Sequence, residues 1–408
     1  MNRKMDKFQG RHWETGSIHN TLALQGLNAP HTGKPYSEAF LLGVSGGITF
    51  GYFTFEYKGL LPHVAFLTCN TFDPFQTILE RLGVVQNVYQ TAKAEIAEKN
   101  LIEALASGNP AIVWADECSL LYNNMTGTAY WNMMPIVVYA MDGEDALIAD
   151  RSSRPFRVPM DILTKARARV KDDKFRLITL DPPQTSKLVS AAQKGIWQCI
   201  ELFTEKPPRG SRHNFGFAAY EHLAEMLVNT RNKQSWERMF APGSRMYNAL
   251  AGTVEGPRVF PHPGAFSWIN TWGAGDGAER AVYADFLDEA SILLEKKSFK
   301  KVAEQFRLSH KTWLDFAEAI LPAAVPLFHE AKTLKLRKHK LFIEKGEEAK
   351  EEIREINLQL KKLEEKAAKN FPLTKEEAAR FRSNLREHIL TISGIEQKAI
   401  EMLQGSMA

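Results

Sequence analysis

Three cysteines, eleven histidines and one strand-end carboxylate are the groups in this 408-residue chain that could do chemistry. Cys69, Cys118 and Cys199 are odd in number, far apart and form no CxxC pair, so neither a disulfide framework nor a cysteine zinc site is expected. His12 and His19 are spaced to share a helix face, and the reading adopted is two unrelated, partly exposed histidines. His213, His222 and His262 form no metal-ligand spacing, and no HExxH occurs; no metal and no cofactor are expected. Cys118 follows an apolar strand in Asp116-Glu117-Cys118 and is the best candidate for a relocated nucleophile, with no base placed beside it by the sequence. Asp150, followed by Arg151, closes a strand where a carboxylate could orient a histidine; the alternative is local turn pairing.

The elements that must position these groups come in three styles. Up to residue 183 helices and strands mix: helical spacing over 11–27, a start at Ser37 with Glu38 in the first turn, strands at 48–57, 64–69, 111–115 and 175–180, and helices at 75–82, 93–107 and 160–169. Strands 134–141 and 146–150 flank the turn Asp142-Gly143-Glu144-Asp145, a hairpin signal. Local pairing of this kind predicts an α+β domain on a mostly antiparallel sheet. Beyond Asp181-Pro182-Pro183 the spacing is helical at 187–205, 215–230, 279–295, 298–308 and 311–320, with a long Gly/Pro-rich loop over 252–277. From Phe328 onward Ile353, Ile356, Leu360, Leu363 and Ala367 make a heptad seam. Pro372 breaks it, Thr374-Lys375-Glu376-Glu377 is a capping box, and Ala378, Phe381, Leu385, Ile389 and Ile392 repeat the spacing. The expected organisation is an α+β domain at 8–183, an all-α domain at 187–325 and an antiparallel helical hairpin at 328–404 that could self-associate.

Other features narrow the class. The 44% apolar and 25% charged content is that of a globular protein, and a net charge of +4 is too small to argue for nucleic acid. The basic run over 332–340 reads as the solvated face of a helix. Apolar runs are strand-length and the first ten residues lack an apolar h-region, so neither membrane span nor secretory signal is expected and a cytoplasmic protein is. The glycines over 43–51 sit between a helix and a strand, the reverse of a phosphate loop, and are read as tight backbone packing.

Several blocks together resemble the butirosin biosynthesis protein H N-terminal domain family. They are Gly10 through Ile18; Tyr36 through Gly43 with Gly46, Phe50, Gly51 and Tyr52; Pro110 through Asp116; Val137 through Tyr139 to Asp142; and Ile148 through Arg151. The helical half resembles the uncharacterised domain that often follows, in Trp236 through Phe240, Gly273 through Gly277 with Arg280, Tyr283 through Ala290, and Trp313 with Ala317 through Pro322. The resemblance spans about residues 8–325 by block order. It implies a fold of papain-like or bacteriocin-leader-peptidase type and transfer of an acyl group from an acyl carrier protein to an amine, in secondary metabolism. The family pattern places a cysteine directly after His12, where a helix N-terminus stabilises a thiolate. Here that residue is Trp13. The family histidine, eight residues before Asp142, falls on Met134; only the third member, Asp150, is kept. Loss of both reacting groups implies a non-catalytic member whose cleft, around His12, Trp13, Glu14, Asp150 and Arg151, binds a small ligand or an acyl carrier protein. An acyltransferase or amidase using Cys118 and a scaffold working through the hairpin are the alternatives.

Overall fold

The computed structural model describes residues 7–125, 131–254 and 262–407. In chain order the first half holds α1 (Trp13–Leu24), α2 (Glu38–Val44), β1 (Ile48–Phe55), β2 (His63–Cys69), α3 (Pro74–Leu82), β3 (Gln86–Tyr89), α4 (Ala94–Ala106), β4 (Ala111–Asp116), β5 (Met133–Asp142), β6 (Asp145–Ala149), β7 (Phe156–Pro159), α5 (Met160–Arg167) and β8 (Leu177–Leu180). The rest is helical: α6 (Leu188–Thr204), α7 (Gly216–Val228), α8 (Trp236–Met239), α9 (Ser244–Ala251), α10 (Gly264–Asn270), α11 (Arg280–Leu293), α12 (Ser298–Ile320), α13 (Pro326–Lys345), α14 (Lys350–Lys369) and α15 (Lys375–Met407). The chain is thus α+β, with an antiparallel sheet in its N-terminal part and a large helical remainder.

Six strands make one sheet in the order β3-β8-β4-β5-β6-β7, every neighbour antiparallel. Period-two alternation splits its residues between two cores. Ile112, Val137 and Ile178 face the side that holds Ile18 and Leu22 of α1. Val113, Ile136, Val138 and Ile148 face the other side, under Leu101 of α4 and Leu163 of α5. Ser17 on α1 donates to the Pro135 carbonyl at 3.0 Å, which fixes the helix along β5. β1 and β2 form a separate antiparallel ribbon, packed against α7 on one strand and α10 on the other. One core therefore runs from Phe8 to Leu403. The glycines before β1 act through close packing, as their order indicates: a Cβ on Gly47 (φ 70°) would sit 2.5 Å from the Tyr283 ring.

Several expectations change. Residues 298–308 and 311–320 are one helix, α12, because Ser309 and His310 continue its face. The loop expected over 252–277 contains α10; residues 255–261 of it lie outside the described residues. The short strands β3 and β7 have too few residues to show a period.

The largest correction concerns the C-terminal hairpin. Its bend is at Gly346 (φ 55°), between α13 and α14, and not at Pro372. Arg337 meets Glu352 at 2.5 Å, Lys338 meets Asn357 at 2.7 Å and the Phe328 and Phe371 rings lie 5.8 Å apart, so α13 and α14 run antiparallel. The seam of Ile353, Ile356, Leu360, Leu363 and Ala367 is buried within the chain, where α14 meets α13 and α9. The Thr374–Glu377 capping box does form, with reciprocal bonds of 2.8 and 3.2 Å. The helix it starts, α15, packs between α7 and α12 instead of on α14. Its Glu396 explains why. That buried carboxylate accepts from Arg280, Tyr220, Ser309 and Trp313, all on helices of the preceding segment. A helix carrying a buried acid must dock where its cation is. The apolar faces expected for self-association are consumed internally.

Candidate functional site

The site is built on the N-terminus of α1. His12 is the N-cap, in extended backbone, and its own side chain does not cap the helix. Glu38 of α2 does so instead. It accepts the Arg11 N–H at 2.7 Å, the His12 N–H at 2.9 Å and the Thr15 hydroxyl at 2.8 Å. Burial outweighs these donors and pushes the Glu38 carboxyl up to about 7. A thiolate at position 13 would have to share this end of the helix with that carboxylate.

Trp13 occupies the first helical position and is 3% exposed. Its indole lies against two flat groups. The Arg151 guanidinium sits 4.1 Å over the ring, and the Trp272 ring is 5.0 Å away, with Trp268 a further 4.7 Å from Trp272. Phe342 covers Arg151 at 5.1 Å. Arg151 is held in this sandwich by two bonds to Asp150, at 2.9 and 3.2 Å, and one to Asn123 at 3.0 Å. Asp150 also accepts the Tyr122 hydroxyl at 3.0 Å. Both of its oxygens are engaged locally, by Arg151 and Tyr122, and among the described residues no histidine is one of its hydrogen-bond partners.

Trp13, Asn123, Arg151, Trp268, Trp272 and Phe342 face a cavity of about 470 Å³. Three parts of the sequence contribute its walls: Trp13, Cys118 and Arg151 from the sheet half; His262, Trp268 and Trp272 around α10; and Lys335, Lys338, Phe342 and Leu360 from α13 and α14. Of the residues singled out from sequence, Trp13, Arg151 and Cys118 line this cavity. His12, Glu14, Asp150 and Met134 do not. Met134 pairs with Ala115 in the sheet, and alternation along β5 sends it to the face of Ile136 and Val138, away from α1. Glu14 turns toward Asp73; burial and that like charge raise its carboxyl to about 7.

The cavity is aromatic and weakly charged. Burial, then His63 and Lys335, lower His262 to about 3, so its imidazole is neutral at pH 7. Burial, then Arg151 and Arg11, lower His339 to about 4. Burial raises Glu117, which accepts from Asn132 at 2.6 Å. Among the described residues no group of three His, Cys, Asp or Glu side chains could hold a metal ion. No helix among them is long and apolar enough to cross a membrane. His19, read as partly exposed, is buried with its ring nitrogen 2.6 Å from the Tyr36 carbonyl.

Trp268, Trp272 and Lys335 were missed. The two tryptophans are four apart, a helical spacing inside what reads as a loop. Lys335 and Lys338 continue the series Phe328, Ala331, Phe342 at intervals of three and four, so both belong to an inward face. The basic run is therefore not uniformly solvated: these two side chains and His339 line the cavity.

This helix-on-antiparallel-sheet domain, with its helix N-terminus at a cleft, is the part of the chain that comparison identifies. Residues 12–151 match the family model of butirosin biosynthesis protein H, N-terminal, so this stretch of the chain is similar to that acyltransferase-like family. No curated protein matches the chain.

Proposed function

We propose that this protein is a non-catalytic member of the family, and that the ancestral cleft persists as a binding site for a small apolar or aromatic ligand. The papain-like reading of the fold belongs to this proposal; it is supported by α1 lying along β5 of an antiparallel sheet. So does a place in acyl-carrier-linked secondary metabolism, which rests on the family match alone. The observation that carries the proposal is the stack of Arg151, Trp13 and Trp272 on the wall of the cavity. The Trp13 indole brings no nucleophile to the wall, and the flat surface open to a ligand there is that of the half-buried Trp268 and Trp272.

The cavity volume falls in the range of small-molecule sites, and four tryptophans, Trp13, Trp131, Trp268 and Trp272, line it. Cys118 lines the same cavity, which gives the active-enzyme alternative a thiol in the right place. It lacks the rest: the neutral, buried His262 belongs to a different wall, and Asp150 is committed to Arg151 and Tyr122.

The test is titration with N-phenyl-1-naphthylamine, an uncharged probe whose emission rises in apolar sites. One saturable site is expected in the wild type, and its loss is expected in Ala65→Trp, which fills the cavity from β2. Absence of saturable binding by the wild-type chain contradicts the proposal.

A further inference from the structure

We propose that Lys335 is a reactive amine that forms an imine with an aldehyde- or ketone-bearing ligand seated in this cavity. The inference rests on the cavity being a ligand site and adds a covalent chemistry that the family match does not supply.

The geometry is that of a withheld amine. Lys335 projects from the middle of α13 and lines the cavity, whose wall also holds the apolar side chains of Trp268, Trp272, Phe342 and Leu360. Its ammonium has two long contacts, 3.5 Å to the Pro263 carbonyl and 3.4 Å to the Ser267 hydroxyl, and makes no ion pair among the described residues. Lys338, one turn further along, lines the same cavity and carries its charge toward Asn357 at 2.7 Å. A lysine in an apolar pocket beside a second cation is held toward its neutral, nucleophilic form. Burial first and Lys338 second lower Lys335 to about 7, against the opposing pull of Glu364. The other titratable and charged groups on the cavity wall are His339 on its own helix, His262 and His63, and Arg151, Glu117 and Cys118; His339 and His262 are neutral at pH 7.

The reaction balances without an oxidant or reductant. The Nζ lone pair attacks the carbonyl carbon, and the C=O pair moves to oxygen. The two protons of the neutral amine leave with that oxygen as water, and a C=N bond remains. The Ser267 hydroxyl, 3.4 Å from Nζ, is placed to carry a proton between nitrogen and oxygen.

The test treats the full chain with 2-naphthaldehyde and sodium cyanoborohydride at pH 7, then maps the reduced adducts by mass spectrometry. Lys335 is expected to be labelled at least about tenfold faster than exposed lysines, whose amines near pKa 10.4 are almost wholly protonated. Lys335→Met removes that adduct while its far-ultraviolet circular dichroism spectrum and urea-unfolding midpoint stay those of a folded chain. In the wild type, labelling of Lys335 rises between pH 6 and 8 and then flattens, whereas labelling of exposed lysines keeps rising. Adducts spread over surface lysines, while 2-naphthalenemethanol still displaces the fluorescent probe, overturn the inference and leave the binding site standing. Selective Lys335 labelling without any probe binding supports the amine and removes the proposed ligand site. Neither labelling nor binding removes both.

Discussion

Trp13→Ala separates a structural wall from an idle substitution. A buried indole hides on the order of 150–250 Å², worth about 4–6 kcal/mol at about 25 cal/mol per Å². Part of the Trp13 surface borders the cavity, and an unfolded chain already hides some of its apolar area, so about 3–4 kcal/mol is expected from packing. The contact with Arg151 adds to this. That guanidinium lies between Trp13 and Phe342 with its hydrogen bonds satisfied, a setting where a cation on an aromatic face contributes about 1–2 kcal/mol. Urea denaturation followed by far-ultraviolet circular dichroism gives the total, because tryptophan emission itself changes in the variant. Trp13→Phe should recover at least half of the loss. A double-mutant cycle of Trp13→Ala with Arg151→Met should give a coupling of about 1–2 kcal/mol. A loss below about 1 kcal/mol for Trp13→Ala, or no coupling to Arg151, refutes the stacked-wall reasoning.

Three other outcomes follow from the same structure. Glu14→Gln should be more stabilising at pH 8 than at pH 5. The folded carboxyl is raised from 4.5 to about 7, so the wild type loses stability as pH rises through that window and the amide does not. After allowance for its partial exposure the difference is about 1–2 kcal/mol, read from denaturation midpoints at the two pH values. Glu396→Gln should cost about 3–5 kcal/mol, because it leaves Arg280 buried without its counter-charge and turns an N–H₂ group toward donors; thermal and urea unfolding measure it. Iodoacetamide should alkylate Cys118 in the native protein and spare Cys199, which is fully buried and has its thiol pushed up to about 12 by burial; alkylated protein should lose probe binding, and equal reaction of both thiols before unfolding contradicts this.

Much of the fold was legible because it is local. The hairpin of β5 and β6 follows from Asp142-Gly143-Glu144-Asp145, the stop of α3 from Gly83 in left-handed backbone, and the start of α15 from the Thr374 capping box. The site was half legible. Trp13 and Arg151 were found because family blocks point at them, whereas Trp272 and Lys335 reach the cavity through tertiary packing that no short spacing encodes. The placement of α15 was illegible for the same reason. Its seam has the period of a coiled coil, but the docking is decided by Glu396 finding Arg280, a pair 116 residues apart. Lys335 shows the converse error: read as one member of a charge run, it looks solvated, and read as a position in the series Phe328, Ala331, Lys335, Lys338, Phe342, it faces inward.

The central claim is that the cleft has kept its shape and lost its thiol chemistry. The most direct measurement is incubation of the full chain with an acyl thioester, followed by intact-mass analysis before and after hydroxylamine, which cleaves thioesters and spares amides. The account predicts no hydroxylamine-labile acyl adduct, together with saturable binding of N-phenyl-1-naphthylamine that Ala65→Trp abolishes. A labile adduct that maps to Cys118 and turns over to an amine acceptor contradicts it.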